Sequence, residues 1–138
     1  MSDEEQYLSW DDIERSVEIL TAKISSLPRT FSSIDTVSRG GLVPSRLIAD
    51  RLGIEKIYVD QNHISSDSLF IDDIFDTGDT FNKIISRYGA SSEFVFATLF
   101  ARVGKNYPSN LLYGEQTKDD GYVVFPWDRI EYAKSKKK

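Results

Sequence analysis

The chain has no cysteine and a single histidine, His63, among its 138 residues. Disulfides, thiolate catalysis and cysteine-held zinc or iron–sulfur centres are therefore excluded, and a histidine-built metal cluster within one chain is implausible. There is no apolar run of eighteen residues, and the first residues, MSDEEQYLSWDD, are acidic rather than a basic signal region. The expected location is the cytoplasm, away from membranes. Positive charge is also scarce: 17 Lys and Arg against 22 Asp and Glu leave a net charge of −5. That balance argues against a nucleic-acid partner. The one basic run, KSKKK at 134–138, reads as a solvated, frayed tail beyond a single domain of residues 1–133.

What is present is an alternation of periodicities. Ser9 followed by Asp12 is a capping pair, and Trp10, Ile13, Val17, Leu20 and Ile24 form one apolar stripe on the helix it opens. A β-prone segment at 33–38 leads through SRGG to a second helix, with Pro44 in its first turn and Gly53 as its stop. Strands are expected at 56–60, 69–74, 93–101 and 122–125, and a helix over TFNKIISRYG, with Phe81, Ile84, Ile85 and Tyr88 inward and Gly89 ending it. Strands alternating with helices predict an α/β domain with a mainly parallel central sheet flanked by helices.

Three polar clusters fall at the carboxyl ends of predicted strands, where open α/β sheets bind ligands: SRGG, DDIFDTGDT and Arg102. In DTGDT, a glycine between hydroxyl residues on a strand-to-helix turn leaves backbone N–H groups free for a phosphate, with Thr77 and Thr80 as further donors. A capped surface turn would read the same way. It is no Walker loop, since GxxxxGK[ST] is missing. Asp72 and Asp73 could accept hydrogen bonds from sugar hydroxyls or hold Mg²⁺; an acidic pocket of the receiver or phosphatase kind is the alternative.

Residues 70–81, FIDDIFDTGDTF, resemble the phosphoribosyl-pyrophosphate signature of the type I phosphoribosyltransferases: two hydrophobics, two acids, two hydrophobics, then Asp-Thr-Gly-x-Thr. VSRGGLVPSRLIADRLG is similar to the pyrophosphate loop and following helix of the xanthine-guanine branch. YVVFPWD at 122–128 resembles its base-binding segment, and YLSWDDIERSVEILTAKI its first helix. The resemblance runs in order from about Tyr7 to Asp128.

It implies transfer of a 5-phosphoribosyl group from phosphoribosyl pyrophosphate to a 6-oxopurine (guanine, xanthine or hypoxanthine) with release of pyrophosphate. On this resemblance Asp72 and Asp73 meet the ribose hydroxyls and Mg²⁺, and Asp76 is the catalytic, proton-handling carboxylate. Thr77, Gly78, Asp79 and Thr80 cradle the 5′-phosphate, while Arg39, Gly40 and Gly41 hold the pyrophosphate. Arg102, Tyr122 and Val123 contact the base, and Asp128 joins the metal site. A homo-oligomer, dimer or tetramer, is the family expectation.

Three departures stand out. Arg102 occupies the place of a lysine that commonly holds the purine's exocyclic oxygen. Asp79 stands where glycine or a basic residue is frequent, so its side chain is expected to point away from the phosphate. The hood is short: only QNHISSDS separates Asp60 from Leu69. A lid of that length implies slow turnover, hydrolytic leakage or a cover supplied by a neighbouring subunit. The alternatives are a non-catalytic regulator of the same fold that binds a phosphoribosyl ligand, or a transferase for another acceptor.

Overall fold

The computed structural model describes residues 4–88 and 93–136. Five strands form one sheet in the order β3 (Ile57–Val59), β2 (Ser33–Thr36), β4 (Ser68–Phe75), β5 (Val95–Ala101) and β6 (Leu111–Gln116). Every pairing in it is parallel. The expected architecture is thus the observed one: the β2–β3 and β4–β5 pairs are bridged by helices at 42–52 and 79–85, whereas β5 reaches its parallel neighbour β6 through residues 102–110 without a helix.

Helix α1 (Trp10–Ser25) opens with a full capping box: Asp12 N–H donates to Ser9 Oγ at 3.1 Å, and Ser9 N–H donates to Asp12 Oδ2 at 2.8 Å. Such a cap is worth about 1 kcal/mol. Ile13, Val17, Leu20 and Ile24 are all buried in the larger core cluster, each contributing on the order of 1.5–3 kcal/mol. Trp10, expected in that stripe, is 54% exposed and leans on Trp127 with ring centroids 5.8 Å apart. Helix α2 (Leu42–Leu52) ends where expected, at Gly53 with φ 71°. The second core cluster is aromatic: Phe70, Phe81, Phe94, Phe96 and Tyr88 pack between the sheet and α3 (Asp79–Ile85), which continues as a 3₁₀ turn over Ser86–Tyr88. Ile85, expected inward, is 40% exposed. Gly89, expected as the stop, lies outside the described residues.

Four features depart from the sequence reading. β6 was not anticipated. The strand expected at 122–125 narrows to β7 (Val123–Val124), which pairs not with the main sheet but with β1 (Gln6–Tyr7). Beyond it, a 3₁₀ turn at Pro126–Asp128 leads into α4 (Arg129–Lys136). The basic tail is consequently helical through Lys136, whose ammonium meets Glu5 at 2.5 Å; this pair and the Tyr132 hydroxyl hold the Glu5 carboxyl down to about 2. No helix among the described residues is long and apolar enough to cross a membrane.

Candidate active site

From β2 the chain runs through α2 to β3 on one side, and β4 lies on the other. The carboxyl ends of β2 and β4 therefore flank the switch point, where a cleft opens in folds of this kind. β4 and the turn that follows it bring Asp72, Asp73, Asp76 and Asp79 there. Asp72 is 6% exposed and Asp73 half-buried, and both line the cleft. Asp73 N–H donates to Asp72 Oδ1 at 2.8 Å, and Ile74 N–H donates to Asp73 Oδ1 at 2.7 Å. Burial and the neighbouring Asp73 charge push the Asp72 carboxyl well above the usual range; burial also raises Asp73.

The loop after β2 closes over this pair. Its Ser38–Arg39 peptide is cis. A Cβ on Gly40 would lie 2.7 Å from Asp73 Oδ2, and one on Gly41 1.8 Å from Thr36 Oγ1, so only glycine lets this backbone come so close. Arg39 is exposed and lowers the Asp128 carboxyl, whose net shift is upward through burial and the Asp73 and Glu131 charges. Loop and 3₁₀ turn thus face one another across Asp73.

After β4, Gly78 takes φ 89° to start α3, and Asp79 N–H donates to Thr77 Oγ1 at 3.3 Å. Asp79 is exposed in the helix's first turn, a placement the helix dipole favours. Residues 72–81 with Phe96 line a cavity of about 170 Å³.

Across from this turn stand Arg102 and the segment before β7. Arg102 is 6% exposed. Its Nε and Nη2 donate to the two Asp76 carboxylate oxygens at 3.0 and 3.3 Å, and its Nη1 donates to the carbonyls of Asp119 and Gly121 at 2.9 and 2.8 Å. Sequence reasoning placed both residues at the site but missed their mutual ion pair. Tyr122 is 58% exposed, and one ring face is stacked on Tyr132 of α4 at 5.0 Å. Tyr132 was missed altogether, since nothing in its local sequence marks it. The carbonyls of Tyr122 and Val124 accept from β1 at 2.8 and 2.9 Å, which turns the peptide groups of Val123 to the opposite side. A cavity of about 100 Å³ connects Asp73, Asp76, Arg102, Tyr122 and Asp128.

The short hood is fastened down. Ile64 is buried in the aromatic cluster, its N–H donates to the Arg87 carbonyl at 3.0 Å, and Arg87 Nη1 donates to the Gln61 carbonyl at 3.2 Å. At its base, Asp60 accepts from both the N–H and the hydroxyl of Ser38.

For a metal, no group of three or more acids or histidines among the described residues could hold an ion. Asp72, Asp73 and Asp128 do come near one another around the cleft, Asp73 contributing to the upward shift of both of the others. One or two of these carboxylates with substrate phosphates is the kind of set Mg²⁺ takes, since it keeps most of its waters.

No family model matches the chain. It is 29% identical to the xanthine-guanine phosphoribosyltransferase of Chromohalobacter salexigens over 88% of its own length and 82% of that protein's. The purine phosphoribosyltransferase of Pyrococcus horikoshii superposes with a TM-score of 0.73 at 22% identity, covering 91% of this chain and 94% of the other. The fold is that of the purine phosphoribosyltransferases. The xanthine-guanine-hypoxanthine phosphoribosyltransferase of Helicobacter pylori superposes equally well, with a TM-score of 0.74 at 16% identity over 95% of this chain and 99% of that one. The resemblance to type I phosphoribosyltransferases drawn from FIDDIFDTGDTF holds in sequence and in fold.

Proposed function

We propose that the chain is a Mg²⁺-dependent purine phosphoribosyltransferase acting on a 6-oxopurine, with release of pyrophosphate. The observation that carries this reading is the convergence on one cleft of three elements. They are the glycine-built loop pressed onto Asp73, the Asp76–Thr80 turn, and the Tyr122–Val123 segment.

In the proposed reaction, a ring nitrogen of the base attacks C1′ of the donor while the C1′–O bond to pyrophosphate breaks. The sugar passes through an oxocarbenium-like state, whose positive charge the carboxylates of Asp72 and Asp73 stabilise while accepting from the ribose hydroxyls. Backbone N–H groups of residues 77–80 and the Thr77 and Thr80 hydroxyls hold the 5′-phosphate, and the dipole of the turn favours that charge. Arg39 and the Gly40–Gly41 backbone hold the leaving pyrophosphate. Asp76, 49% exposed along its side chain, faces the base and accepts the proton that its nitrogen sheds. Tyr122 offers the ring face not covered by Tyr132 for stacking, and the outward peptide groups of Val123 meet the base edge. Mg²⁺, met by one or two of Asp72, Asp73 and Asp128 together with the donor's phosphates, would supply neutralisation of the pyrophosphate charge.

Because the short hood is tied to the turn after α3, it does not swing over the sugar, and water retains access to C1′. Incubating the protein with phosphoribosyl pyrophosphate, MgCl₂ and a panel of guanine, xanthine, hypoxanthine, adenine and uracil tests the reading. Nucleotides from the 6-oxopurines are expected, with measurable ribose 5-phosphate from donor hydrolysis. Absence of nucleotide from every purine would sink it.

A further inference from the structure

A short helix without a core of its own stands beside Tyr122. α4 buries none of its eight residues, and a helix of that length is marginal unless other contacts hold it. The segment before α1 supplies them. Arg129 Nη2 donates to the Leu8 carbonyl at 3.0 Å, the Tyr132 hydroxyl donates to Glu5 Oε1 at 2.7 Å, and the Lys136 ammonium donates to the same oxygen at 2.5 Å. Lys136 also lies 5.1 Å from the centre of the Tyr132 ring, and Tyr7 meets that ring edge-on at 6.2 Å. Tyr132 is thereby held at its hydroxyl and on its ring.

The same segment carries the backbone around Tyr122. β7 is two residues long and pairs with β1. Gln6 N–H donates to the Tyr122 carbonyl at 2.8 Å, and Lys118 N–H donates to Gln6 Oε1 at 3.0 Å. A Cβ on Gly121 would lie 2.0 Å from the Glu4 carbonyl, so the two segments are in close contact. The Tyr122 side chain has no such support from β1. Its ring is 58% exposed, and its one ring partner among the described residues is Tyr132, 5.0 Å away and 14° from parallel. An exposed ring that turns freely loses that freedom when a ligand stacks on it, a cost that prior ordering removes.

On the transferase reading, in which a base stacks on Tyr122, we propose that Tyr132 is a positioning residue for the base: anchored by Glu5 and Lys136, it holds the Tyr122 ring in the orientation that the base meets. Glu5, Tyr122, Tyr132 and Lys136 then act as one clasp. The donor is met elsewhere, by residues 39–41, 72, 73 and 77–80, so the clasp governs affinity for the base and not for the donor.

Steady-state kinetics with guanine and phosphoribosyl pyrophosphate varied in turn, on wild type, Tyr132→Leu, Tyr132→Phe and Glu5→Ala, test this, with thermal unfolding of each protein alongside. In Tyr132→Leu the KM for guanine is expected to rise about two- to tenfold, the worth of one aromatic pair, while the KM for the donor holds. Tyr132→Phe keeps the stack and loses only the hydroxyl, so its guanine KM should fall between those of wild type and Tyr132→Leu. Glu5→Ala loosens the ring without removing it and should raise the guanine KM by less. It lies outside the core, so it reports even where Tyr132→Leu fails to fold. A helix that only stabilised the fold would lower the melting temperature and leave both KM values in place. The proposal is overturned by an unchanged guanine KM in Tyr132→Leu, or in Glu5→Ala where that variant alone folds, and equally by a donor KM that rises in step. A wild-type chain that forms no nucleotide removes the transferase reading and this one together. One that forms nucleotide while its variants keep the wild-type guanine KM removes only this one.

Discussion

Two sets of buried carboxyls sit on neighbouring strands and are treated differently. Asp35, in the middle of β2, is 4% exposed and is answered from within: Ser68 Oγ donates to its Oδ2 at 2.6 Å. Asp72 and Asp73, at the carboxyl end of β4, are answered only by the backbone N–H groups of Asp73 and Ile74, and they open onto the cleft. Asp76, one turn further, has a full cationic partner in Arg102. Burial raises all three of Asp35, Asp72 and Asp73, yet only Asp72 also carries a raising contribution from a neighbouring acid. A carboxyl satisfied by a hydroxyl in the sheet is part of the architecture. An adjacent pair without a cation, beside a glycine loop, is arranged for something that arrives.

The comparison can be broken most forcefully at Asp76. Asp76→Asn keeps the shape but gives up the proton acceptor, and kcat should drop by about 10²- to 10⁴-fold in a steady-state assay; an unchanged rate would remove Asp76 from the chemistry. Gly41→Ala comes next. Its Cβ would meet the Thr36 hydroxyl and, 2.9 Å away, the backbone carbonyl of Ile71, which cannot yield as a side chain can. Overpacking of this kind costs about 1–3 kcal/mol, and urea titration should register it together with weakened donor binding. On the architectural side, Ser68→Ala leaves Asp35 without its hydroxyl donor. That should cost about 1–3 kcal/mol of stability with the donor site intact.

The smallest effect is one of pH. A carboxyl whose folded pKa lies above its unfolded value binds its proton more tightly when folded. Its favourable contribution is therefore present in acid and is lost as pH rises from 3.8 through the raised value. Asp35→Asn, which keeps an acceptor for Ser68, should flatten that limb of a stability–pH curve measured by thermal unfolding. A curve unchanged by the substitution would separate Asp35 from the effect.

Much of this was legible in the chain itself, for reasons that differ by element. α1 announces itself through a capping box and a stripe at steps of three and four, and β5 through an unbroken apolar run that is buried along its whole length. The candidate residues on β4 and the loop after β2 could be picked out because their motifs are contiguous, and the fold brings the two motifs side by side. β6 was not: LLYGEQ mixes polar residues with a glycine that usually argues against a strand. The glycine is there because α1 crosses so closely that a Cβ on Gly114 would lie 2.2 Å from Ser16 Oγ and 2.6 Å from the Ser16 carbonyl. The tail misled for the opposite reason. KSKKK looks like solvated charge, and only the folded chain brings Glu5 to Lys136 and stacks Tyr132 on Tyr122. The Arg102–Asp76 pair spans 26 residues, and no local pattern encodes it.

The difference between the two carboxyl sets is tested most directly by calorimetric titration of Mg²⁺–phosphoribosyl pyrophosphate into three proteins: wild type, the Asp72→Asn/Asp73→Asn double variant, and Asp35→Asn. The account predicts a dissociation constant between about 1 µM and 1 mM, the range of typical enzyme substrates, for wild type and Asp35→Asn, with no heat for the double variant. Equal binding by all three, or none by wild type, would contradict it.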